Sequence, residues 1–127
     1  MLDNDYIMRE IARFHANIAR INSQTLADRR AARADAIRDL CAYPGLLEER
    51  ASWLVAGHYG AGAQFAFRAL SNRANRRAWL FSHTLAIDWG VSSAHARSIW
   101  RDLDPGIQAR INDELDRAMR EDEEEGD

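Results

Sequence analysis

Four histidines, one cysteine and twenty acids are the groups in this 127-residue chain whose chemistry goes beyond charge. Their spacing offers little of it. His15, His58, His83 and His95 are scattered, with no H-E-x-x-H and no C-x-x-C, so the sequence names no metal site. Glu48 with Glu49 and Asp113 with Glu114 are chain neighbours that a helix points in different directions, so neither pair reads as an acid–base couple. Cys41 has no internal partner and, beside Leu40 and Ala42, is expected to be a small buried hydrophobe. Gly57, Gly60 and Gly62 surround His58 and Tyr59 in the order G-x-x-G-x-G. That is not the dinucleotide-binding order and no strand precedes it, so the segment reads as a helix break. Within it, His58 and Tyr59 are the best candidates for a small exposed site.

All 17 basic residues are arginine. Without lysine there is no Walker phosphate loop, no lysine Schiff base and no kinase-type ATP lysine. The expectation is a non-enzymatic protein with no catalytic residue, cofactor or metal.

The formal charge of -3 hides a division along the chain. Residues 1–49 carry seven arginines against eight acids, and residues 102–127 carry three against eleven. Residues 50–101 carry seven against Asp88 alone, a net +6 that gathers Arg68, Arg73, Arg76 and Arg77 beside the segment LAIDWGVSSAHARSI at 85–99. A basic stretch of this kind is the electrostatic footprint that phosphate binding requires.

Residues 85–99 have the pattern of helix, tight turn and helix. Leu85 and Ala86 close the first helix, Gly90 makes the turn, Val91 plugs it, Ser92 caps the second helix and Ile99 anchors it from behind. Over these residues alone the chain resembles the helix-turn-helix family of DNA-binding proteins. The resemblance implies a trihelical unit whose second helix enters the major groove of duplex DNA. It would place Ser93, Ala94, His95, Arg97 and Ser98 toward the bases, with Arg97 reading guanine through its two-pronged fork. Arg73, Arg76, Arg77 and Arg101 would touch phosphates.

Helical periodicity dominates the remainder, and the expected class is all-α, a compact bundle of five to seven helices in a single domain over residues 1–120. Ile7, Ile11, Phe14, Ile18 and Ile21 form one stripe, with Asp3 or Asn4 as cap. The stripe suits bundle packing, and also a short coiled-coil seam and hence a homodimer. Thr25 with Asp28 resembles a capping box, opening a helix through Leu26, Ile37, Leu40 and Cys41 that stops at Pro44 and Gly45. Leu47, Trp53, Leu54 and Val55 mark a third helix. Asp104 and Pro105 start the last one, with Ile107, Ile111, Leu115 and Met119 in a stripe. Residues 121–127 are expected as a disordered acidic tail. Trp79, Trp89 and Trp100 read as core. Between Ser71 and Trp89 no proline or glycine intervenes, so the chain permits one long helix or two meeting near Ser82–Thr84. Two helices suit the DNA-reading unit; one makes Gly90 an ordinary corner.

A second function class is a helical inhibitor or accessory subunit that binds another protein through the basic 68–101 or acidic 113–127 surface. A mobile-element anti-defence protein, anti-CRISPR-like, would have this size and charge. No segment approaches roughly 18 consecutive apolar residues, and MLDNDYIMRE carries acids where a secretion signal would be basic, so no membrane partner and a cytoplasmic location are expected.

Overall fold

The structure, a computed structural model, describes residues 4–21 and 24–125. Among them every regular element is a helix: α1 (Asn4–Ile21), α2 (Leu26–Ala42), α3 (Leu46–Val55), α4 (Ala61–Arg68), α5 (Arg73–Trp89), α6 (Ser93–Asp102) and α7 (Pro105–Glu125). Asp3, the side chain of Ile18 and residues 126–127, which carried sequence expectations, lie outside the described residues.

The centre of the bundle is α5, which packs against each of the other six helices, while α3 lies along α7. Its sequence explains the position: Leu80, Thr84, Leu85 and Ile87 are wholly buried, and Phe81, Asp88 and Trp89 nearly so. So wide a buried surface suits a helix that must face neighbours on several sides. Truncating Leu80 or Leu85 to alanine would open a cavity there at about 2–5 kcal/mol.

α5 is unbroken through Ser82–Thr84, so the two-helix alternative is not the one adopted. The Thr84 hydroxyl donates to the Leu80 carbonyl at 2.6 Å, which satisfies a buried polar group inside the helix. Asn72 caps the start by accepting from the Asn75 amide at 2.8 Å.

Local signals placed most other boundaries. Thr25 and Asp28 form the capping box in both directions, at 3.1 Å each way. Asp104 Oδ1 accepts from the Gly106 and Ile107 amides at 2.8 and 3.1 Å, with Pro105 opening α7. Gly57 and Gly60, both at positive φ, break the chain between α3 and α4. The stripe Ile111, Leu115 and Met119 is buried, with Ile107 half-buried. α7 continues to Glu125, so the backbone of residues 121–125 extends a helix where a disordered tail was expected.

One expectation fails on α2. Its buried stripe is Ala32, Ala36 and Leu40, spaced by four, which turns Cys41 about 100° away, and that thiol is exposed. Leu26, six residues before Ala32 and therefore off that stripe, is also exposed.

Candidate docking groove

The residues expected to touch DNA separate into two groups. Ser93, His95, Arg97 and Arg101 stand exposed on α6. Neither Arg97 nor Arg101 makes an ion pair among the described residues. The other four are engaged within the fold. Ser98 is half-buried and accepts from Arg33 Nη1 at 3.0 Å, and the same guanidinium pairs with Asp102. Arg76 donates to the Leu70 carbonyl at 3.0 Å and lies over the Phe67 ring, which binds it to the α4–α5 connection. Arg73 and Arg77 both approach Asp116 of α7, at 3.5 and 3.6 Å. Ser92 occupies the N-cap position of α6 without a side-chain bond to the helix backbone; its hydroxyl lies 2.6 Å from His95 Nδ1.

Between α5 and α6 the chain turns at Gly90, and the turn is buried. Gly90 takes φ 67° and ψ 31°, a left-handed conformation that glycine adopts without steric penalty. Its amide donates to the Ala86 carbonyl at 3.1 Å, and the Val91 amide to Leu85 at 3.3 Å. Gly90 and Val91 are both buried. The carbonyls that α5 leaves free at its end are taken by side chains from elsewhere. Asn17 Nδ2 reaches Ile87 at 2.6 Å, Arg13 Nη2 reaches Asp88 at 2.7 Å, and Gln24 Nε2 reaches Gly90 at 2.9 Å. α1 and Gln24, which precedes α2, thus strap the corner from behind and leave the α6 face outermost.

On that outer side α5, α6 and α7 enclose a groove of about 700 Å3. Phe81, Ala96 and Leu115 form a buried floor beside half-buried Trp100. The Phe81 and Trp100 rings meet edge to face, 5.0 Å between centroids. The walls are exposed alanines, Ala74 and Ala78 on α5 and Ala94 on α6. Arg77, Arg97 and Arg101 rim the opening. Chemically this is an apolar slot edged with cation, suited to hold an apolar group and an anion together.

A separate charged centre lies inside the bundle, and charge sums along the sequence could not reveal it. Arg50, only 4% exposed, donates from Nε to Asp88 Oδ2 at 3.0 Å, from Nη1 to Glu49 at 3.1 Å and from Nη2 to the Tyr6 hydroxyl at 3.0 Å. Its guanidinium carbon lies 4.2 Å from the centre of the Trp53 ring. Burial opposes the Arg50 charge, but Asp88 and Tyr6 more than offset it and raise its pKa above the usual arginine range. Burial pushes the Asp88 carboxyl up, an effect that Arg50 only partly opposes.

Tyr59, expected on the surface beside His58, is buried, whereas His58 is exposed. The tyrosine packs edge-on to Phe14 at 5.5 Å, and burial with the nearby Asp88 charge holds its phenol protonated. His83 stacks on Trp79 at 4.8 Å, and burial alone lowers its pKa to about 4. A neutral imidazole and a protonated phenol are then what this interior holds near neutral pH. Among the described residues no group of three or more His, Cys, Asp or Glu is placed to hold a metal ion.

Comparison with protein-family models, characterised proteins and solved structures finds no match to this chain. No described helix is long and apolar enough to cross a membrane.

Proposed function

We propose that the protein is a non-enzymatic binding module that docks an acidic segment of another protein on the outer face of α5 and α6, as an inhibitor or accessory subunit would. The observation that carries this reading is the placement of Arg97 and Arg101. They are exposed, unpaired among the described residues, and set at the lip of an apolar groove. Exposed basic groups steer association with an acidic partner, and an apolar floor supplies the burial that holds it.

Duplex DNA is the second reading, favoured by the exposure of Ser93, His95, Arg97 and Arg101 on α6. Two features count against it. α5 is one continuous helix, so the trihelical unit lacks its separate supporting helix. Arg73, Arg76 and Arg77, needed for phosphates, are committed to Asp116 and to backbone carbonyls.

Selection from a pool of random duplexes at low salt, with wild type and Arg97→Ala side by side, separates the two. The protein-binding reading expects no enriched sequence. Enrichment of a motif that Arg97→Ala relaxes would establish DNA reading in its place.

A further inference from the structure

Resting on the protein-binding reading, we infer that the α5–α6–α7 groove is a socket for a short amphipathic acidic segment, one or two apolar side chains on its floor and carboxylates on its arginine rim. Three observations meet there. The first is charge complementarity. Arg97 and Arg101 are four residues apart on one helix, an arrangement in which like charges repel, and neither has a carboxylate partner among the described residues. A bidentate carboxylate between them relieves that repulsion and uses the fork geometry of both.

The second is shape. The groove exists because Ala78 and Ala94 are small where α5 and α6 face outward, leaving the Phe81–Trp100 edge open from above. Its volume of about 700 Å3 lies in the range of cavities that take compact apolar groups, and far exceeds what a single carboxylate fills. An anion alone therefore leaves most of the floor wet, and an uncharged apolar segment leaves the rim unanswered.

The third concerns the chain's own acids. α7 lends Asn112 and Leu115 to the groove and continues as one helix to Glu125, so the backbone of residues 121–125 stays on the α7 axis. A second copy could offer that run, but EDEEEGD has no apolar side chain for the floor. The occupant that answers both floor and rim is a segment of a different protein, in which acids flank an aromatic or a leucine.

The test is selection of short peptides from a displayed random library on the full chain, followed by titration of the enriched peptides by fluorescence anisotropy. Enriched peptides should carry carboxylates beside an apolar anchor. Their affinity should fall about tenfold or more with Ala78→Trp, which fills the groove, and with Arg97→Gln plus Arg101→Gln, which empties the rim. Ala78, Arg97 and Arg101 are all exposed, so the variants should fold, which circular dichroism checks, and Ala94→Trp serves as the second groove-filling variant. Replacing the peptide's acids by their amides should weaken binding comparably. The socket is refuted if nothing is enriched, or if the enriched peptides bind both tryptophan variants as well as wild type. Acidic peptides that bind through Arg97 and Arg101 yet ignore both tryptophans would also refute it, while leaving the broader acidic-partner reading standing. Selection of a duplex motif would overturn that broader reading itself.

Discussion

Arg50 and Asp88, 38 residues apart in sequence, form an ion pair whose two side chains are each only 4% exposed. The pair ties α3 to the C-terminal turn of α5, two residues before the Gly90 corner that sets α6 and the groove. The Asp88 carbonyl is held in turn by Arg13. A buried pair of this kind is costly to break and is not thereby a large net source of stability.

Removing Arg50 strands the Asp88 carboxylate, whereas removing Asp88 leaves Arg50 beside Glu49 and Glu10. Arg50→Met should therefore destabilise the fold by about 3–5 kcal/mol in urea denaturation, and Asp88→Ala by less. The double replacement Arg50→Met with Asp88→Leu should recover a large part of the loss. Arg50→Met within about 1 kcal/mol of wild type would mean the pair is solvated.

His83 makes stability depend on pH in a defined direction. Its pKa is lowered from 6.5 to about 4, so between those values the unfolded chain binds the proton more readily. Stability is therefore at its full value above pH 6.5 and falls as pH drops toward 4, by up to roughly 3 kcal/mol from this group. His83→Phe, which keeps a ring against Trp79, should flatten that part of the profile. A profile unchanged by the substitution would contradict the burial assigned to the imidazole.

The corner and the helix before it answer to backbone probes. Gly90→Ala places a side chain at φ 67° and should cost about 1 kcal/mol or more, read as a lowered Tm. In hydrogen exchange the amides of Ser82, His83 and Thr84 should be protected like those of Leu80 and Leu85. Loop-like exchange at those three would restore the two-helix alternative.

Cys41 should react with a thiol reagent in the native protein at nearly the rate of the unfolded chain. Protection that is lost only on denaturation would return it to the core.

Local codes account for the parts of the fold that the sequence made readable. Thr25 with Asp28, Asp104 with Pro105, and Gly90 each specify a helix end within four residues, and the stripe on α7 repeats every turn. What stayed hidden depends on distant pairing. Arg50 counts as surface charge in any running sum, yet Asp88 takes it inside. Tyr59 follows exposed His58 in the chain and is buried because α3, α1 and α5 close over it through Trp53, Phe14 and His83. The candidate site was half legible. Arg97 and Arg101 could be named from the helical segment, but that Arg73, Arg76, Arg77 and Ser98 are engaged, and that alanines open a groove, needed the packing of α5 on α6 and α7.

Under the proposed function the α6 face docks protein and does not read DNA. Competition tests it most directly: wild-type protein carrying a labelled acidic, apolar-anchored peptide from the selection is challenged with excess random duplex at physiological salt. The peptide should stay bound, and Ala78→Trp should release it without any duplex present. Displacement by duplex, with an affinity that Arg97→Ala makes less sequence-dependent, would contradict it.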